Sequence, residues 1–259
     1  MLALPAIFDS ALVFLLCAAV MALAQTVYVL LGFGAGLIAV GLLALLLPEI
    51  QDVVVVLLLL NLPAELYVVR QTVRAVSWRS VLTLCAGIAV GVPVGTLLLQ
   101  RTRPDIILLI LGALLIVAGG AFLRSPGRAA IRWPPWVAPP TGLLAGILAG
   151  TFGTGGPPLI LYYQLAGISK RAFRANLMAI FLLITCVRVP AYAVAGLITG
   201  ERLHATLWML PAVVLGAYLG NRIHLRLSEA IFRRTVSVAL MVLGATLIAQ
   251  RIGAGGFPG

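Results

Sequence analysis

One arginine sits where a charge is hardest to keep. Arg188 lies inside the apolar run LLITCVRVPAYAV, far from either end of a membrane-length segment, and an ionisable side chain at that depth points to function. A guanidinium can hold a sulfonate or a carboxylate through two parallel hydrogen bonds. Thr185 and Tyr192 stand at i−3 and i+4, on the same helical face, and can complete an anion site. Two other uses of Arg188 stay open at this level, an ion pair with Glu65 and snorkelling of the charged head toward the interface. Glu65, in NLPAE, is the one carboxylate well inside an apolar span, and Asn61 shares its face at i−4. Glu65 can bind a coupling proton or act as a fixed counter-ion.

A second kind of chemistry comes from the backbone. GTFGTGGPPLILYY, residues 150–163, packs glycines and prolines between two apolar stretches. A lipid-facing helix cannot carry such a break, because freed backbone groups find no water there. The spacing predicts one short helix ending near Gly153 and another starting near Pro157, since proline suits a first helical turn. The second helix would then present free N–H groups and a positive dipole end at membrane depth, which favours an anion. Gly155 and Gly156 let a ligand approach the backbone, and Thr151 and Thr154 offer hydroxyl donors. The matching break GFGAG offers Gly34 and Gly36. Helix packing through small residues competes for Gly142, Gly146 and Gly150. Asn176 either lines the same cavity or caps a backbone break. His204 and His224 lie near the ends of spans and read as interfacial, as do Trp78, Trp133, Trp136 and Trp208.

These residues sit in a chain that only a bilayer accommodates. Hydrophobic residues make up 62% and charged residues 10%, and the mean hydropathy is +1.15, so a polytopic all-α membrane protein is expected. The net charge of +11 comes from short inter-helix loops rather than one amphipathic face. That suits an anionic membrane surface and argues against a nucleic-acid partner. The three cysteines fall in apolar segments without metal-ligand spacing. The sequence shows no ATP-binding motif, no Ser–His pair and no membrane-depth His/Asp/Glu cluster, so neither a cofactor, a metal nor an enzyme is expected. The N-terminus lacks the basic region and cleavage site of a secretory signal, so Ala11 onward is expected to be mature structure.

Crossings are expected over about 53–70, 80–100, 105–123, 172–197, 204–222 and 230–250, roughly 20 residues each. The uncharged stretch 11–47, split at GFGAG, is too long for one crossing, and the two pieces of 137–167 are too short. If 137–167 enters and leaves on one face, thirteen Lys and Arg residues fall on the cytoplasmic side and four outside, with Arg188 in the membrane. Both termini are then non-cytoplasmic. Each half becomes a Gly-split re-entrant hairpin followed by three crossings. Motifs recur in order: GFGAG against GTFGTGG, NLPAE against RVPAY, GVPVG against GAYLG. Three crossings per half is an odd number, so the second half is inverted relative to the first. The predicted units are a first repeat over 1–123, a cytoplasmic linker over 124–136 and a second repeat over 137–259. Inverted repeats with broken helices mark secondary transporters with a midplane site.

Two halves opened by Gly-rich breaks, with GILAGTFGTGGPPLILYY in the second, resemble the sulfite exporter TauE/SafE family of membrane permeases, and the resemblance covers essentially the whole chain. It implies a secondary transporter, an exporter of small sulfur-containing anions such as sulfite or organosulfonates, in a bacterial inner membrane. Its partners would be the anionic substrate, the bilayer and a coupling proton or cation. The residues themselves also allow an anion channel or a permease for a non-sulfur organic anion.

Overall fold

The computed structural model describes residues 5–31, 35–123, 133–222 and 229–253, and among these every regular element is helical. Ten α-helices follow in order: α1 (Ala11–Leu31), α2 (Ala35–Leu46), α3 (Ile50–Thr72), α4 (Trp78–Arg101), α5 (Pro104–Leu123), α6 (Ala138–Phe152), α7 (Gly156–Leu165), α8 (Lys170–Val194), α9 (Gly200–Arg222) and α10 (Glu229–Gly253). The chain is an all-α polytopic membrane protein. Gly34, His224 and most of the expected linker, 124–132, lie outside the described residues.

Local chemistry sets the helix ends. Ser169 Oγ accepts from the Ala172 N–H at 3.3 Å and Thr199 Oγ1 from the Arg202 N–H at 3.3 Å, each covering a donor that a first turn leaves open. Gly153 follows α6 in the left-handed region at φ +73, where a side chain would be strained.

Five helices contain stretches long and apolar enough to cross a bilayer: Ala11–Tyr28, Trp78–Arg101, Pro104–Ala121, Arg171–Val194 and Gly200–Gly220. The remaining two expected crossings, α3 and α10, have the length, at 23 and 25 residues. Among the described residues, however, only Ile50–Pro63 and Leu240–Ile252 stand out in them as shorter apolar stretches. The first part of α3 is surrounded by protein, and farther along it Glu65 is buried too, although Pro63 and Leu66 beside it are exposed. Val53 through Leu58 and Leu60 are all buried, as in a helix enclosed on every side.

The two hairpins are unequal. α6 and α7 are both short, at 15 and 10 residues. α1 has 21 residues and α2 has 12, so the first hairpin joins a crossing-length arm to a short one. Nothing in 11–31 stops a helix, since neither Gly nor Pro occurs there. Even so, the two breaks adjoin: a Cβ placed on Gly36 would lie 3.5 Å from Thr154 Cβ and 3.8 Å from the Gly153 carbonyl oxygen.

Helix pairs meet through small residues. Gly87, Gly91 and Gly95 of α4 face Gly142, Gly146 and Gly150 of α6, and a Cβ on Gly146 would come within 2.9 Å of the Ile88 carbonyl oxygen. In lipid, such close backbone approach is what holds helices together. The same device joins α5 to α10, where a Cβ on Gly112 would lie 2.8 Å from the Gly244 carbonyl oxygen, and α9 to α1, where Gly216 abuts Ala22. The pairing has a pattern. α1 packs on α9 and α6 packs on α4, so each hairpin's first arm seats against a helix from the other part of the chain. α3 packs on α8, α5 on α10, and α4–α8 contacts are matched by α3–α9 contacts.

Candidate functional site

α3 and α8 form the centre, and the turn between α6 and α7 closes on them. Between these elements lies a cavity of about 60 Å³. One water needs roughly 10–15 Å³ on this measure, so the space admits a few waters or one small anion. Its wall takes Leu58, Asn61 and Glu65 from α3, and Phe181, Ile184, Thr185 and Arg188 from α8. The α6–α7 turn adds Gly153, Thr154, Gly155 and Gly156, α2 adds Gly36 and Leu37, and α1 adds Tyr28.

Arg188 is 4% exposed. Its Nη2 donates to the Val54 carbonyl at 3.3 Å and to the Tyr192 hydroxyl at 3.1 Å. The guanidinium carbon lies 4.9 Å from the Tyr192 ring centroid, and Tyr192 passes its own hydroxyl hydrogen to the Gly150 carbonyl at 2.6 Å. This chain ties α8 to the end of α6 and fixes the guanidinium beside the break. Gly153 leaves it room, since a Cβ there would stand 3.4 Å from Nη2. Nε is buried with no partner, and an orphaned buried donor calls for an explanation.

Neither competing use of Arg188 is what the geometry displays. The ion pairs among the described residues join Arg202 to Asp52 and Glu49, and Arg103 and Arg251 to Asp105; Arg188 with Glu65 is not one of them. Glu65 instead accepts from the Thr185 hydroxyl at 2.7 Å. Burial of Arg188, with its head bonded to Val54 and Tyr192, leaves no snorkelling reach toward an interface.

The break between α6 and α7 supplies backbone donors. α7 opens on Gly156, Pro157 and Pro158 with no side-chain cap. The prolines have no N–H to satisfy, which leaves Gly155 and Gly156 as the donors at the wall. A fixed cation, helix-start amides, the Thr154 hydroxyl and the Asn61 amide together can bind an anion in a small space.

Of the expected residues, Arg188, Thr185, Asn61, Glu65, Gly36, Thr154, Gly155 and Gly156 are brought together here, with Tyr192 behind Arg188. Two lie elsewhere. Thr151 stands on the last turn of α6 facing α4, and donates to the Gly95 carbonyl at 3.1 Å. Asn176 accepts from the Ser77 N–H at 2.8 Å, covering the start of α4. Tyr28 is an addition that the sequence reading did not single out; its hydroxyl donates to Met178 Sδ at 3.1 Å. A signal existed, because Tyr28 precedes Gly32 by the same four residues that separate Ala149 from Gly153, and both line the cavity. His204 accepts from Trp208 Nε1 at 2.9 Å, away from the cavity.

Comparison with known proteins places these features in context. The sequence profile of the family described as "Sulfite exporter TauE/SafE" matches residues 17–247. The chain is 28% identical over 227 residues to "Probable sulfite/organosulfonate exporter TauE" of Cupriavidus necator, covering 86% of this chain and 89% of that protein. It is also 28% identical over 193 residues to "Probable inner membrane transporter protein TsaS" of Comamonas testosteroni, covering 73% and 80%. No solved structure matches the chain.

Proposed function

The chain belongs to the sulfite exporter TauE/SafE family, which makes it a membrane transporter rather than an enzyme, and on that footing we propose that it exports small sulfur-containing anions such as sulfite or organosulfonates. The observation that carries this reading is Arg188, a buried cation with an orphaned Nε and no carboxylate in ion-pair contact, facing a small cavity. A sulfonate or sulfite oxygen pair would supply the missing acceptors. The printed name of the Cupriavidus necator relative agrees with that substrate class.

The transporter works as a secondary carrier by alternating access in a bacterial inner membrane. Its repeats, 1–123 and 137–259, are inverted about the site and joined by a cytoplasmic linker over 124–136, with both termini outside. The helix pairing supports this, because exchanging the two halves maps α1–α9 onto α6–α4 and α4–α8 onto α9–α3. Rocking of one repeat against the other would expose the Arg188 cavity to each face in turn.

The test is counterflow in proteoliposomes. Vesicles loaded with unlabelled sulfite should transiently accumulate labelled sulfite above the external level. Simple dissipation of the label would identify an anion channel. Stronger competition by carboxylates than by sulfonates would move the substrate to non-sulfur organic anions.

A further inference from the structure

We propose that Glu65 binds the proton that travels with the anion, so that loading the site takes up one anion and one proton together. This rests on the transport reading above. Glu65 is 6% exposed and lines the same cavity as Arg188. Among the described residues its carboxylate receives a hydrogen bond from Thr185 at 2.7 Å and belongs to none of the ion pairs.

The groups around it come from each neighbouring element. α8 contributes Arg188 and the Thr185 hydroxyl, α1 contributes the Tyr28 phenol, and α3 itself contributes Asn61. α2 and the α6–α7 turn contribute no titratable side chain to the wall. Among the described residues, Arg188 and Glu65 are therefore the charges of this cavity, one of each sign.

Charge balance then decides the loaded state. With Arg188 and Glu65 both charged, the empty cavity would be neutral. A monovalent anion arriving beside Arg188 would put two negative charges into about 60 Å³, and like charges sharing one site disfavour the ionised form of a carboxylate. A proton on Glu65 restores neutrality. By linkage, the anion and the proton favour one another's binding by the same factor. Thr185 suits both states, because a hydroxyl donates to a carboxylate and can turn to accept from a carboxylic acid. The balance is one anion and one proton in, the same pair out, with no bond made or broken beyond the O–H on Glu65. For a monovalent anion the cycle is electroneutral, so export runs where the outward anion gradient exceeds the opposing inward proton gradient.

The test is calorimetric titration of the purified full-length chain with ethanesulfonate, whose charge stays fixed across the range used, in paired buffers of different ionisation enthalpy. The wild type should take up close to one proton per anion in alkaline buffer and none in acid buffer. Its affinity should fall about tenfold per pH unit on the alkaline side. Glu65→Gln should bind ethanesulfonate with no proton uptake and no such pH slope. Wild-type binding without proton uptake at any pH overturns the proposal and leaves the transport reading standing, as does undiminished uptake in Glu65→Gln. Absence of ethanesulfonate binding at every pH overturns both. The wild-type uptake decides the matter even if Glu65→Gln does not fold, and Glu65→Asp should then recover uptake.

Discussion

Two buried arginines in this protein are used in opposite ways. Arg202, 8% exposed in the first turn of α9, is saturated: Nε donates to Asp52 Oδ1 at 2.7 Å, Nη1 to the Leu197 carbonyl at 2.8 Å, and Nη2 reaches Gln51 at 3.4 Å and Glu49 at 3.5 Å. It clamps the start of α3 to the α8–α9 connection. Arg188, 4% exposed, has a carbonyl and a hydroxyl on one nitrogen and nothing on Nε. The first is in direct contact with its counter-charges, while the second touches none, shares its cavity with Glu65 and keeps an unbonded Nε. On the proposed reading, the cation left short of an acceptor is the one that takes the anion.

That contrast can be broken by removing each charge while keeping its volume. Arg202→Met should lose about 3–5 kcal/mol of stability, because Asp52 is left as a buried charge without its partner. Ethanesulfonate affinity of the folded fraction should hardly change. Chemical unfolding in detergent, run beside a binding titration, checks both halves. Arg188→Met should cost less than Arg202→Met, at most about 1–2 kcal/mol without ligand, since Glu65 loses the opposite charge in its cavity but no direct ion pair. A large loss of stability in Arg188→Met would make Arg188 structural.

Smaller effects separate neighbouring hydroxyls and amides. Thr151→Val and Asn176→Ala should each lower stability by about 1 kcal/mol, through the lost bonds to Gly95 and Ser77, and should leave anion affinity within experimental scatter. Thr154→Val, at the cavity wall, should do the opposite and weaken anion binding by roughly three- to tenfold with little change in stability. Matched losses of affinity in all three variants would erase the distinction between wall and scaffold.

Much of the site could be read directly from the chain, for a physical reason. Polar residues inside apolar runs are expensive, so Arg188, Thr185, Asn61 and Glu65 stand out, and helical spacing alone groups them. Gly153, Gly155 and Gly156 with Pro157 and Pro158 announce a broken helix whatever surrounds it. Other features depend on tertiary rotation or distant partners. Thr151 and Thr154 are three residues apart, yet the left-handed turn at Gly153 sends one to α4 and the other to the cavity. Arg202 lies just before the expected crossing over 204–222, and nothing near it in sequence marks it, because Asp52 lies 150 positions away. Leu58, Phe181 and Ile184 line the cavity, but in sequence they match leucines that face lipid, such as Leu82 and Leu207. The length of α1 was obscured by an uninterrupted apolar run that fits a crossing or a hairpin arm equally.

The central claim is that Arg188 holds the transported anion, and paired calorimetric titrations of wild type and Arg188→Met with ethanesulfonate at neutral pH test it most directly. Saturable binding by the wild type with affinity at least roughly 100-fold weaker in Arg188→Met, as expected for losing a charge-assisted forked contact, is the predicted result. Equal affinity in the two proteins, with Arg188→Met folded, would contradict it.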